Sequence, residues 1–200
     1  MVIGAGPIAE RKVQQLVAAG ADVIVISPEA TEGIRRAADN GHARLLERRY
    51  APGDLAQAFV AFVATDDETV SRQVREEATR ERVLLNVADV TGLCDFIAPA
   101  VVERGSVTVA ISTNGTSPAL ARKLREALER WPGLAWADAT PVLAEVRATL
   151  KQEGAQPQAD AWQEAMDAEV LALVHAGKHA EAKGRLLHVL RAASPQRVGG

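Results

Sequence analysis

Met1-Val-Ile-Gly4-Ala-Gly6-Pro-Ile-Ala9 opens the chain with an apolar run leading straight into Gly4-x-Gly6-x-x-Ala9. A helical pattern follows from Glu10 to Ala19, and Gly20-Ala-Asp-Val-Ile-Val-Ile-Ser27 closes a strand–helix–strand unit. That order suits a dinucleotide pyrophosphate. Gly4 takes the tight turn, Gly6 lets backbone approach the phosphates, and Ala9 is small enough for helix to pack on strand. The helix N-terminus then offers free N–H groups to the anion. A glycine pattern alone also fits a turn with no ligand; its closure into the unit favours an NAD(P)-type site. Three residues precede the glycines, where a strand of about five or six is usual. The first strand is therefore expected to be weak, with a late start codon or a lost upstream segment as its explanation.

Two hundred residues suffice for one α/β domain and a smaller appendage. Hydrophobic residues make up 48% and charged residues 24%, a globular balance with no apolar run of membrane-span length and no secretion leader. A cytoplasmic location without membrane attachment is the expectation. Cys94 is the single cysteine, which excludes internal disulfides and cysteine-cluster metal sites. A net charge of −3 and few aromatic residues argue against nucleic acid as a partner.

Strand and helix patterns alternate through the first half. Strands are expected at 23–27, 43–48, 59–65 and 83–87, and helices at 32–40, 54–58 and 68–80. The 59–65 run is apolar almost throughout, as in a strand buried on both faces. This predicts a Rossmann-like, doubly wound parallel sheet with ligands at the carboxyl ends of its strands. After Asp89 the pattern changes. Segments 96–102 and 106–112 read as extended, joined by a turn at Glu103-Arg-Gly105. A helix over 119–130 follows, with Ser117 as N-cap and Pro118 at its first position. Trp131-Pro-Gly133 stops it. Three helices are expected at 141–150, 161–175 and 178–193, with Trp131, Trp136 and Trp162 docking this region on the body.

Four segments resemble the precorrin-2 dehydrogenase/sirohydrochlorin ferrochelatase family, the N-terminal part of siroheme synthase. They are Gly4-Ala-Gly-Pro-Ile-Ala-Glu-Arg-Lys12, Ala64-Thr-Asp-Asp67, Asn86-Val-Ala-Asp89 and Ile111-Ser-Thr-Asn-Gly-Thr-Ser-Pro-Ala-Leu-Ala-Arg122. Cys94-Asp-Phe-Ile-Ala-Pro-Ala100 is also similar to the family, and all five stand in the expected order over residues 1 to about 130. The resemblance implies NAD-dependent oxidation of precorrin-2 to sirohydrochlorin in siroheme and modified porphyrin biosynthesis, an oxidoreductase activity. In some members a ferrochelatase (lyase) step follows, with Fe2+ as its substrate. It also implies a homodimer. The domain reading is then an NAD-binding domain at 1–89, a dimerisation and active-site region at 90–130, a small C-terminal helical region at 131–193, and a disordered tail at 194–200. Ala5 and Asn114 depart from the family pattern. Ala5 sits at a variable fingerprint position, and Asn114 keeps access to left-handed backbone angles.

Asp89 ends the fifth strand on the ligand side of the sheet, and the resemblance puts the catalytic aspartate there. A carboxylate can take the proton that must leave when hydride departs; the bland reading is a turn cap. The cofactor contacts expected are Gly4, Gly6, Pro7, Ile8, Ser27, Pro28, Glu29, Thr65 and Asp66, although Thr65-Asp66 fits a helix N-cap equally well. No arginine stands at the end of the second strand to hold a 2′-phosphate, which favours NAD. Thr113, Thr116, Ser117 and Arg122 are the expected contacts for the polycarboxylate tetrapyrrole. The competing reading of the Arg122, Lys123, Arg125 and Arg130 face is solvated pairing with Glu126 and Glu129. His175 and His179 have a metal-compatible spacing, but Gly177 between them favours surface histidines and no metal site. The rival function is an NAD(H)-sensing regulatory domain without catalysis, and a third is a family member that has lost activity.

Overall fold

The computed structural model describes residues 1–194, which divide between Ala98 and Pro99 into two compact units. The first holds β1 (Val2–Ile3), α1 (Pro7–Ala18), β2 (Ile24–Ile26), α2 (Glu32–Asp39), β3 (Arg44–Leu46), β4 (Val60–Val63), α3 (Glu68–Glu81) and β5 (Leu84–Val87). All five strands are parallel, in the order β3-β2-β1-β4-β5. The doubly wound sheet expected from the alternation is therefore present, with the first glycine turn at its centre.

Alternation along each strand builds two cores. Val2, Val25 and Phe62 pack with Ala9 and Val13 of α1 and Ile34 of α2. Their neighbours Ile3, Ile26, Ala61 and Val63 point to the opposite face, against Val74 and Ala78 of α3. A strand with period-two side chains can serve two helical layers only if both sets are apolar, which explains the unbroken apolar runs. Strand β1 is only two residues long, as its lead-in suggested, yet it is not peripheral. Val2 and Ile3 are buried and paired on both sides, with Gly4 N–H donating to Ile26 O (2.9 Å) and Ala64 N–H to Ile3 O (2.8 Å).

Two local expectations in this unit change. Residues 54–58 form turns instead of a helix. The backbone closes i,i+3 turns there, with Asp54, Ala56 and Ala58 N–H donating to Ala51, Gly53 and Leu55 O (3.2, 3.2 and 2.9 Å). Carboxylates anchor the loop: Ala51 N–H goes to Asp54 (2.8 Å), and Gly53 and Leu55 N–H go to Glu77 (3.0 and 2.8 Å). The first unit also continues to Ala98, past the Asp89 boundary expected from the pattern. Leu85 N–H donates to Asp95 (2.9 Å) and the Asn86 amide donates to Phe96 O (2.9 Å), so 94–96 fastens along β5.

The second unit starts with an antiparallel hairpin, β6 (Ala100–Arg104) and β7 (Val107–Ile111). The strand runs through Glu103 and Arg104, and the turn falls at Gly105 (φ +56°) and Ser106, one position later than the sequence suggested. Helix α4 (Pro118–Glu129) begins as expected, with Ser117 Oγ accepting from Leu120 N–H (3.2 Å). A 3-10 segment (Pro132–Ala139) then leads to α5 (Thr140–Gln152), α6 (Ala159–Ala165), α7 (Ala168–His175) and α8 (His179–Ala192). The single helix expected at 161–175 divides because Asp167 caps a new one, accepting from Val170 N–H (2.9 Å). Val146, Leu150, Val170, Leu186 and Leu190 form the core of this helical half, with Trp136 and Trp162 packed on it. Trp131 is 58% exposed and is not part of that core; the helix stop leaves it on the surface. Ser194 Oγ donates to Leu190 O (2.8 Å), and the rest of the tail expected to be disordered lies outside the described residues. The hairpin, α4 and the later helices form one unit, so the expected division at residue 130 is not a boundary between compact bodies.

Candidate active site

The turn after β1 shows why two glycines stand there. Gly4 has φ +96°, and a Cβ on it would lie 2.2 Å from Ala64 O. The fold itself therefore demands glycine at this position. Gly6 is different. It has φ −80° and ψ −174°, an ordinary extended conformation, and a Cβ would meet nothing within 4 Å. No atom of the described residues needs Gly6 to lack a side chain, so the space it leaves open suits a group from outside the chain. Helix α1 begins immediately beyond, with Pro7 at its first position and its first bond from Glu10 N–H to Gly6 O (2.9 Å). The N–H groups of Ile8 and Ala9 are left without an intrahelical acceptor, pointing out of the helix N-terminus. These features fit a dinucleotide pyrophosphate.

Two grooves flank this turn at the carboxyl ends of the strands. One, of about 520 Å³, is lined by Ile8, Thr65, Asp66, Ser71, Asp89 and Val90 among others. The other, of about 190 Å³, is lined by Gly4, Ser27, Pro28, Arg49, Tyr50 and Thr65 among others. Thr65 belongs to both. Helix capping does not occupy Asp66: Asp67 is the N-cap of α3, accepting from Thr69 (2.9 Å) and Val70 (3.2 Å) N–H. Thr65 Oγ1 accepts from Asp67 N–H (3.3 Å), so it serves the turn while facing both grooves. Pro7 and Glu29 are exposed and line neither groove.

Asp89 stands on the turn that ends β5, at φ +60°. Its side chain is exposed to the larger groove and has no hydrogen-bond or ion-pair partner among the described residues, contrary to a turn-cap role. Cys94 holds that turn. Its sulfur accepts from Val87 N–H (3.2 Å) and lies within bonding reach of Val87 O (3.3 Å) and Val90 O (3.4 Å). Arg75 of α3 fixes the next residue, donating to Asp95 (2.8 Å) and to Leu93 O (3.2 Å). The Arg75 bond, opposed by partial burial and helped by Leu85 N–H, holds the Asp95 carboxyl below its usual range.

Sequence reasoning missed two further contributors, Glu77 and the Arg49-Tyr50 pair. Glu77 is 2% exposed and accepts from Tyr50 OH, Gly53 N–H and Leu55 N–H. Burial works to raise its pKa, but these hydrogen bonds outweigh it and the net shift is downward. Burial and the same carboxylate push the Tyr50 hydroxyl pKa upward. The only signal for Glu77 in sequence was an acid on the inward face of a helix.

In the second unit, Thr113, Thr116, Ser117 and Arg122 cluster about the start of α4. Thr113 and Ser117 satisfy one another: Thr113 Oγ1 accepts from Ser117 N–H (3.2 Å) and donates to Ser117 O (3.1 Å). Asn114 at φ +51° and Gly115 at φ +76° make the left-handed turn between them. Thr116 is exposed and has no side-chain partner among the described residues. Arg122 donates to Glu126 (2.9 Å) and Arg125 pairs with Glu129, the solvated i,i+4 pairing that competed with a substrate role. His175 lies 3.3 Å from Asp138, and Gly177 at φ +72° separates its helix from that of His179. No cluster able to hold a metal occurs among the described residues, and no helix there is long and apolar enough to cross a membrane.

The family described as putative NAD(P)-binding matches residues 1–100, and that described as sirohaem biosynthesis protein central matches 104–130. Siroheme synthase of Nitrosococcus oceani is 36% identical over 93% of this chain and 40% of the relative. That of Pseudoalteromonas atlantica is 40% identical over 64% of this chain and 28% of the relative. That of Stutzerimonas stutzeri is 33% identical over 100% of this chain and 43% of the relative. The chain thus spans about two fifths of the length of the first of these relatives. The fold is shared with the solved structure of SirC, a precorrin-2 dehydrogenase, at a TM-score of 0.71 and 24% identity over 92% of each chain. On these matches the chain belongs to the precorrin-2 dehydrogenase/sirohydrochlorin ferrochelatase family that forms part of siroheme synthases.

Proposed function

We propose that this chain is an NAD-dependent dehydrogenase that converts precorrin-2 to sirohydrochlorin, with Asp89 as its acid–base residue. The observation that carries the reading is the pairing of an open Gly6 cradle with an unpartnered carboxylate, Asp89, both on the same edge of one sheet. Gly4, Gly6 and Ile8 would hold the pyrophosphate, Ser27 and Pro28 the adenosine ribose, and Thr65 and Asp66 the span between. The nicotinamide ring, when bound, accepts hydride. Loss of hydride from the reduced macrocycle must be matched by loss of a proton, and the Asp89 carboxylate takes it. Insertion of Fe2+ as a second substrate would use the same group, which can accept a pyrrole N–H proton as the metal enters. Thr113, Thr116, Ser117 and Arg122 would contact the substrate carboxylates. A homodimer is part of the reading, supported by the exposed Leu120 (48%) and Leu124 (43%) of α4. Light scattering is expected to give twice the chain mass, and Leu124→Asp to lower it.

A sensing domain without catalysis finds no support in these comparisons, whose named relatives and structural neighbour are biosynthetic enzymes. The test is an anaerobic incubation with precorrin-2 and NAD, following NADH and the sirohydrochlorin spectrum together. Asp89→Asn is the informative variant, because Asn also tolerates φ near +60° and the turn survives. Its turnover is expected to fall about 10²–10⁴-fold with melting temperature retained. NAD binding with no turnover in the parent chain would sink the dehydrogenase reading; added Fe2+ then tests chelation.

A further inference from the structure

Arg49 was not among the expected cofactor contacts, because it lies beyond β3 and far in sequence from the end of β2. The fold brings it there. It lines the smaller groove beside Ser27 and Pro28, where the adenosine ribose of a dinucleotide lies in this class of sheet. Two other arginines of this region are engaged: Arg35 pairs with Glu47, and Arg48 forks onto Asp54 at 2.7 and 2.8 Å. Arg49 has no carboxylate partner among the described residues, and it is exposed. The acid that would select a free 2′-hydroxyl, Glu29, does not line this groove, and Ser27 occupies the strand end. Asp67 does line it, but its Oδ1 accepts two N–H groups at the start of α3. The segment carrying Arg49 is anchored next door, where Tyr50 OH, Gly53 N–H and Leu55 N–H all bond to buried Glu77.

We infer that Arg49 is a specificity-determining residue that lets this site take the 2′-phosphate of NADP(H) as well as NAD. The inference rests on the dinucleotide reading of the two grooves. A guanidinium facing a phosphate forms a charge-assisted fork, whereas it gains little from a neutral ribose hydroxyl. The experiment is calorimetric titration of the full chain with NAD and with NADP, repeated for Arg49→Ala and Arg49→Lys. Competition by 2′,5′-ADP against 5′-AMP isolates the extra phosphate. NADP binding is expected, with the ratio of NADP to NAD affinity falling about 10–100-fold in Arg49→Ala, the span of a charged hydrogen bond. Arg49→Lys should restore part of the ratio, and raised salt should reduce it. Binding of NAD without NADP, or an equal loss for both nucleotides in Arg49→Ala, overturns the inference alone. Failure of both nucleotides to bind the parent chain overturns it together with the dinucleotide reading.

Discussion

At the residue scale, Gly4 and Gly6 carry the same side chain for unlike reasons, and substitution separates them. Ala at position 4 would adopt φ near +96°, costing on the order of 1–3 kcal/mol, before its methyl meets Ala64 O at 2.2 Å. Gly4→Ala is therefore expected to lower the melting temperature sharply, with chain contacts displaced across β1 and β4. Ala at position 6 fits its backbone and meets nothing, so Gly6→Ala should melt no lower than the parent. Its dinucleotide affinity should nevertheless fall at least about tenfold, because the methyl stands where a phosphate approaches. Equal affinity in the parent and Gly6→Ala would remove the cradle from the argument. Asp89 belongs to the same scale. Its unpartnered carboxylate on a left-handed turn is a strained, solvated position with no visible structural duty, and such positions concentrate at functional sites.

At the element scale, α3 is the organiser of the site. One face packs Val74 and Ala78 on the sheet, and from the same helix Arg75 ties down 93–95 while Glu77 ties down 50–55. Both loops border the grooves. Glu77→Gln replaces a carboxylate that accepts from two backbone N–H groups with an amide that brings its own N–H. The loss is expected to be about 1–3 kcal/mol, read by chemical denaturation. The Glu77 pKa is depressed in the folded chain, so its stabilisation is complete above the unfolded value of about 4.3. It is lost as pH falls through the lower, folded value. Asp54 and Asp95, depressed by Arg48 and Arg75, act in the same direction. Stability of the parent should thus drop with falling pH below about 4, and less steeply in Glu77→Gln. Matching acid limbs in the two proteins would contradict this assignment.

At the scale of the whole molecule, the chain holds separate cores: two on the faces of the parallel sheet and one among α5–α8. Leu186 of α8 is fully buried in the last. Leu186→Ala leaves a cavity there and should cost about 2–5 kcal/mol. Hydrogen exchange is expected to quicken over 140–192 and to remain slow over β1, β4 and β5, with dinucleotide binding intact. Uniform acceleration through both units would show that they unfold together.

The sequence by itself determined the parallel sheet, because apolar runs of strand length alternating with helical periods have few other ways to bury both faces. It also determined the glycine turn and the position of Asp89, which are local consequences of a strand ending in a loop. The cap at Ser117 was legible for the same reason, since capping depends on neighbours three residues away. What only the tertiary structure decided was every contact made across sequence distance. The loop of turns at 51–58 is anchored by Glu77, more than twenty residues later, through the N–H groups of Gly53 and Leu55. Asp167, by contrast, divides a helix through a local cap on Val170 N–H, a signal of the same kind as Ser117 that the apolar periodicity overrode. Arg49 joined Ser27 because β2 and β3 are parallel neighbours whose carboxyl ends lie on the same edge of the sheet. Local propensity cannot encode such partners: their energy exists only once the sheet has closed the loops that bring them together.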